Sequence, residues 1–166
     1  MSRARVAPLV VRSDTRGRLP SGTGLMNRTP ARCVLLADAH HGLCDGMRGL
    51  LSTMFETVVM VADEGSLLEG ARRLQSDLAV IDLALSRDKP LDLVRLLRSR
   101  FPGMKMIIVS VHDESSVSRS VLAAGADAFV TKRAIATDLL AAADAVLAGM
   151  QYLSPSITER DTGRPA

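Results

Sequence analysis

Aromatic residues are nearly missing from this sequence: it has three Phe, one Tyr and no Trp among 166 residues. Proteins that hold single-stranded nucleic acid without sequence preference stack its bases on aromatic side chains, so that class of protein is disfavoured. The apolar residues, 47% of the chain, must therefore be mostly aliphatic. They are numerous enough to build a hydrophobic core, and the length suits one domain with tails.

Cysteines and long apolar runs are also scarce. The only two cysteines, Cys33 and Cys44, are too few for a disulfide scaffold, and we interpret both as buried thiols in a reducing compartment. No segment approaches the roughly 18–20 apolar residues that a membrane-spanning helix needs, and none has the pattern of a secretory signal. We therefore expect a cytoplasmic protein without membrane insertion.

Charge is distributed unevenly along the chain. Residues 1–32 contain seven Arg and a single acidic residue, Asp14, whereas the rest of the chain is mildly acidic. Such an arm can bind nucleic acid or can simply be a solvated leader, and we expect residues 1–31 to be a disordered Arg-rich leader. The polar residues 154–166 predict a flexible tail, which leaves 32–153 as the folded domain.

Short apolar runs alternate with helical patterns from residue 33 onward. The predicted strands are 33–37, 57–61, 78–81, 106–109 and 128–130. The predicted helices are 41–54, 66–75 with Ser66 as N-cap, 91–100, 116–124 and 137–148. Strands that alternate with helices predict a doubly wound α/β fold, in which a five-stranded parallel sheet has helices on both faces.

Polar side chains follow four of the predicted strands. Asp38, Asp82 and Ser110 come at the ends of the first, third and fourth strands, and Lys132 comes just after the fifth. In an open parallel sheet these ends meet at one edge, where ligands bind. Two carboxylates can bind Mg²⁺, while a hydroxyl and an ammonium can hold phosphate oxygens. Each residue alone would fit an ordinary structural role, but the joint pattern predicts a phosphoryl-transfer site.

Four segments resemble the receiver domain of bacterial response regulators: VLLADAH at 34–40, DLAVIDL at 77–83, IVSVHD at 108–113 and AGADAFVTK at 124–132. The VHD triplet and the YLSP at 152–155 resemble the NarL/FixJ class of this family. The resemblance implies a CheY-like, flavodoxin-like (βα)5 sheet in the order 2-1-3-4-5. That class normally continues into a DNA-binding helix-turn-helix, but this sequence stops about ten residues after YLSP, so we expect a single-domain protein that lacks the output domain.

The resemblance implies a role for each matching residue. Asp82 would be the phosphoacceptor and Lys132 its cationic partner. Ser110 would be the switch hydroxyl and Phe129 the aromatic switch. Asp38, Asp82 and the backbone carbonyl of Ala84 would hold Mg²⁺. The protein would then be a phosphoacceptor signalling domain rather than an enzyme.

One departure from the family pattern concerns the metal. The acidic pair reads Asp38-Ala39, so the second carboxylate, which is a direct Mg²⁺ ligand in the family, is missing. One carboxylate about 4 Å from a unit charge is worth roughly 4 kcal/mol at an effective dielectric constant near 20. We therefore expect weakened Mg²⁺ binding.

Three hypotheses follow from these features. The preferred one is a single-domain response regulator in a phosphorelay, which takes its phosphoryl group from a histidine kinase or phosphotransfer protein. It would signal to a downstream protein or form a homodimer through the face made by helix 4, strand 5 and helix 5. The first alternative is a pseudo-receiver, a constitutive interaction module that Ala39 prevents from being phosphorylated. The second is nucleic-acid binding through the leader, but sequence-specific DNA binding is not expected, because the body has no recognition helix of the usual kind.

Overall fold

The computed structural model describes residues 32–162. The predicted leader, residues 1–31, lies outside the described residues. The strands are β1 (Cys33–Ala37), β2 (Thr57–Val61), β3 (Leu78–Asp82), β4 (Lys105–Ser110), β5 (Ala128–Thr131) and β6 (Tyr152–Leu153). The helices are α1 (His41–Leu51), α2 (Glu64–Leu74), α3 (Pro90–Arg100), α4 (Ser115–Ala123), α5 (Ile135–Leu147) and α6 (Pro155–Thr162). Short 3-10 turns follow β3 at Leu83–Leu85 and β5 at Lys132–Ala134.

The strands form one parallel sheet in the order β2-β1-β3-β4-β5-β6. This confirms the predicted doubly wound fold and the 2-1-3-4-5 order of its first five strands. The sixth strand was not predicted. It has only two residues, Tyr152 and Leu153, which pair with Ala128 and Phe129, and two residues are too few for a periodic pattern.

Two apolar layers cover the sheet, one on each face. All five residues of β3 are buried, as expected for a central parallel strand covered by helices on both sides. In β1 the side chains alternate: Leu35 packs in the layer that includes α2 and α3, and Leu36 packs in the layer that includes α1 and α5. The central strands are thereby held rigidly, and their carboxyl ends form a fixed edge.

Helix α2 begins two residues earlier than predicted. Its N-cap is Asp63, whose carboxylate accepts hydrogen bonds from the Ser66 backbone N–H at 2.8 Å and the Ser66 hydroxyl at 2.9 Å. The expectation that Ser66 is the cap is therefore wrong. An aspartate and a serine are both good caps, and the sequence alone does not show which of them has extended backbone geometry.

The cysteine expectation holds in part. Both thiols are free, but only Cys44, on α1, is buried, whereas Cys33 at the start of β1 is half-buried. No helix within residues 32–162 has the length and apolar character needed to cross a membrane.

Residues 154–162 are not the predicted flexible tail. The hydroxyl of Ser154, which is fully buried, donates to Asp138 at 2.7 Å and accepts from the Thr131 backbone N–H at 3.2 Å. Ile157 is 1% exposed and lies in the same apolar cluster as Phe129. One isoleucine in a polar segment is a weak sequence signal, but it is enough to dock a short helix on a core that is already formed.

We expect Ile157→Ala to lower the free energy of unfolding by about 2–5 kcal/mol, because it removes buried methylene groups and leaves a cavity. Urea denaturation checks this. Ser156→Ala, at an exposed position of the same helix, is the control and should change the value by less than about 0.5 kcal/mol. Equal stability of the two variants would show that α6 is not docked.

Candidate phosphoryl-transfer site

The four predicted strand ends meet at one edge of the sheet. The strand register pairs Ala37 with Ile81, Asp82 with Val109, and Ser110 with Thr131. Asp38, Asp82, Ser110 and Lys132 are therefore carried on neighbouring strand ends, although they are far apart in the sequence.

Asp82 and Lys132 form the central ion pair of this edge. The ammonium Nζ of Lys132 lies 2.7 Å from Asp82 Oδ2, and the Asp82 residue is only 4% exposed. The other carboxylate oxygen, Oδ1, accepts a hydrogen bond from the backbone N–H of Ala84 at 3.0 Å. A buried, charge-assisted hydrogen bond of this kind holds the Asp82 carboxylate in one orientation.

Asp38 is the less satisfied of the two carboxylates. Its Oδ1 accepts a hydrogen bond from the His40 backbone N–H at 2.7 Å, but its buried Oδ2 has no hydrogen-bond partner. The nearest cation is Lys132 Nζ at 3.8 Å, beyond hydrogen-bonding distance. A buried carboxylate oxygen without a donor is costly, and a bound cation would remove that cost. The residues present therefore fit a divalent cation, as the sequence predicts.

His40 is a site residue that the sequence analysis did not identify. Its Nδ1 lies 3.5 Å from Asp38 Oδ1 and 3.9 Å from Asp82 Oδ2, and its side chain is 74% exposed. One ligand atom from each of Asp38, His40 and Asp82 lies within 4.8 Å of the other two. The signal that could have found it is its position two residues after Asp38, in the same strand-to-helix loop.

The remaining predicted residues, Ser110, Phe129 and Ala84, lie in different environments. The buried Ser110 hydroxyl accepts a hydrogen bond from the His112 backbone N–H at 3.0 Å. Phe129 is fully buried in the core beneath this edge. Ala39 and Ala84 are exposed, and the Ala39 methyl group cannot coordinate a metal.

Cys44 lies close enough to the edge to be affected by its charge. Burial raises the pKa of its thiol to about 11, with a further contribution from the negative charge of Asp38. Because the thiolate is the nucleophilic form, Cys44 stays protonated and unreactive near neutral pH. Cys44 therefore provides no nucleophile at this edge near neutral pH.

Comparisons with known proteins agree with this architecture. A family model described as the response regulator receiver domain matches residues 34–144. The response regulator GacA of Pseudomonas viridiflava is 31% identical over 129 residues, which cover 76% of this chain and 60% of GacA. A putative transcriptional regulator of Pseudomonas aeruginosa is 33% identical over 117 residues, covering 70% of this chain and 56% of that protein. The chain thus spans little more than half the length of these curated relatives.

A solved structure shows the same fold. The crystal structure of a LuxR-family two-component response regulator from Aurantimonas sp. SI85-9A1 superposes with a TM-score of 0.70 at 28% sequence identity. The superposition covers 76% of this chain and 92% of that one. The β-sheet and the helices around it are therefore those of a known family.

The buried, unpartnered oxygen of Asp38 generates a stability prediction. We expect Asp38→Asn to raise the free energy of unfolding by about 1–3 kcal/mol in the presence of a chelator, because it removes an unsatisfied buried charge. The amide oxygen can still accept from the His40 N–H. Asp45→Asn, at an α1 side chain that is 80% exposed, removes the same charge from the surface and should change stability little. Destabilisation by Asp38→Asn under chelation would contradict the prediction.

Proposed function

This chain belongs to the response regulator receiver domain family, and we propose that it is a cytoplasmic phosphorelay protein that accepts a phosphoryl group on Asp82. The observation that supports this most directly is the buried Asp82–Lys132 pair beside the unsatisfied Asp38. Two carboxylates and an ammonium at the carboxyl edge of a parallel sheet suit phosphoryl transfer, which depends on positioning and charge.

The proposed reaction uses the Asp82 carboxylate as the nucleophile. One of its oxygens attacks the phosphorus of a phospho-histidine on a histidine kinase or phosphotransfer protein. The phosphorus–nitrogen bond breaks, its electron pair stays on the donor imidazole, and an aspartyl phosphate forms. The hydrogen bond from the Ala84 N–H and the ion pair with Lys132 orient the carboxylate before the attack.

Lys132 and a divalent cation would offset the negative charge of the phosphoryl group. Lys132 Nζ already lies 2.7 Å from the attacking carboxylate of Asp82, so it can contact the transferred phosphoryl oxygens without a large movement. Asp38, Asp82 and the backbone carbonyl of Ala84 would hold Mg²⁺, whose contribution when bound is to neutralise charge on the phosphoryl oxygens.

We propose Ser110 and Phe129 as the residues that convert phosphorylation into a surface change. The Ser110 hydroxyl, now an acceptor for the His112 N–H, would turn towards the phosphoryl oxygens. The space that it leaves beside β5 would allow Phe129 to move. Because Phe129 is fully buried here, such a movement must also displace its neighbours in the core.

The output surface that we propose lies around α4, β5 and α5, and it would bind a downstream protein or a second copy of the chain. Here β6 pairs with β5 and α6 contacts α4, so residues 152–162 are part of that surface. The hydrogen bond from the Thr131 N–H to Ser154 connects this segment to the strand that precedes Lys132. A shift of β5 would therefore be transmitted to β6 and α6.

We expect a small-molecule donor, phosphoramidate with Mg²⁺, to add one phosphoryl group to the protein, and Asp82→Asn to abolish it. Intact-protein mass spectrometry measures the addition. Asp88→Asn, an exposed aspartate in the loop after β3, is the matched control and should be labelled normally. Labelling that survives Asp82→Asn, or a wild-type protein that is never labelled, would refute the assignment.

We also expect Ala39→Asp to tighten Mg²⁺ binding, because position 39 is exposed beside Asp38 and the new carboxylate can reach the cation. Hydration offsets much of the Coulomb attraction between the new carboxylate and the cation. The Mg²⁺ affinity should still rise at least about tenfold, or about 1.4 kcal/mol in binding free energy. Ala39→Asn, of nearly the same size but uncharged, is the control for isothermal titration with MgCl₂. Equal Mg²⁺ affinity of the two variants would show that the cation does not lie near position 39.

A further inference from the structure

We propose that His40 is a metal ligand that takes the place of the carboxylate missing at Ala39, and that the pocket consequently prefers a divalent first-row transition ion to Mg²⁺. This inference rests on the proposed function only in that it concerns the same pocket. It assigns a ligand role to His40 and a class of ion to the pocket. A site lined only by oxygen atoms would not select that class of ion.

The geometry supports a three-residue site. His40 Nδ1 faces both carboxylates, at 3.5 Å from Asp38 Oδ1 and 3.9 Å from Asp82 Oδ2. These separations between ligand atoms allow one small cation to contact all three groups after minor side-chain adjustment. Independently, Asp38 Oδ2 is buried without a hydrogen-bond partner, so the pocket has a position that a cation would satisfy.

The backbone keeps the His40 imidazole at the mouth of the pocket. The His40 N–H donates to Asp38 Oδ1 at 2.7 Å, which fixes residue 40 next to the carboxylate. Its side chain is 74% exposed, so the ring can turn without breaking core contacts. A hydrated ion therefore has an open path to the three ligand atoms.

The charge and the donor atoms of the site decide which ion it prefers. Two carboxylates and the Lys132 ammonium together carry a formal charge of about −1. Mg²⁺ prefers oxygen ligands, so the loss of a carboxylate at position 39 weakens its binding. Imidazole suits later first-row ions such as Co²⁺, Ni²⁺ and Zn²⁺, which gain a bond to nitrogen. Exchange of a carboxylate for His40 therefore moves the preference away from Mg²⁺.

A second pairing of histidine and carboxylate in the protein provides an internal control. His112 Nδ1 lies 3.5 Å from Glu114 Oε2, the same separation as that between His40 and Asp38. Both of those side chains are more than half exposed, and no buried unsatisfied carboxylate oxygen has been found beside them in the described part of the chain. Any weak metal binding by a surface histidine would occur there equally.

The test is calorimetric titration of the full chain with CoCl₂ and, separately, with MgCl₂, without a phosphodonor. We expect wild type to bind Co²⁺ more tightly than Mg²⁺. His40→Ala should weaken Co²⁺ binding at least about tenfold. This is the smallest loss of metal affinity expected even when only a residue that hydrogen-bonds to a metal ligand is removed. The same variant should leave Mg²⁺ binding unchanged, and His112→Ala should change neither.

A structural readout accompanies the titration. In the Co²⁺-bound protein, hyperfine-shifted proton signals from one imidazole should appear in the NMR spectrum, remain in His112→Ala and vanish in His40→Ala. A Co²⁺ affinity that His40→Ala leaves unaltered, or an equal loss of affinity for both ions, would overturn the inference. So would shifted signals that survive in His40→Ala.

Phosphoramidate labelling separates this inference from the proposed function. If Asp82 is phosphorylated in the presence of Mg²⁺ but His40→Ala leaves the Co²⁺ affinity intact, the metal inference fails alone. If His40 binds Co²⁺ as expected but Asp82 is phosphorylated in the presence of neither ion, the proposed function fails alone.

Discussion

The site depends on the close approach of two buried carboxylates and one ammonium, which the packed parallel sheet holds together at one edge. Asp38 and Asp82 are carried by adjacent strands, and Lys132 Nζ is 2.7 Å from one carboxylate and 3.8 Å from the other. One positive charge cannot fully compensate two negative ones in a place with little water. The pocket is therefore short of positive charge, which a bound cation would supply.

The substitution at position 39 alters this balance without altering the fold. Ala39 is exposed and takes no part in the core, so its effect is confined to the metal ligands. The neighbouring His40 lies in the same loop, and one of its ring nitrogens is within 4.8 Å of a carboxylate oxygen of both Asp38 and Asp82. A change of metal preference through this loop would leave the sheet unaltered, because the strands hold Asp38 and Asp82 in place independently of it.

The C-terminal segment links the site to the surface. Ser154 contacts both the Thr131 N–H and the Asp138 carboxylate, and Ile157 belongs to the cluster that contains Phe129. Burial and the nearby charge of Asp138 also raise the pKa of the Tyr152 hydroxyl, so the phenol stays protonated. Since β6 and α6 rest on the strand that ends just before Lys132, a change at the site has a short physical route to the surface.

Periodicity along the chain determined the five long strands and the five helices that accompany them. Residue type identified the four polar residues at the strand ends. Both signals are local in the sequence. They did not reveal β6 or α6. These elements depend on two paired residues and one buried isoleucine, which form contacts only with a core that is already folded. They did not distinguish Asp63 from Ser66 as the cap of α2, since both residues can fill that role. They did not identify His40 as a site residue, because its importance lies in distances to Asp38 and Asp82, and the Asp82 carboxylate comes 42 positions later in the chain. Only the tertiary structure decided those distances, because packing on both faces of the sheet brings remote strand ends together.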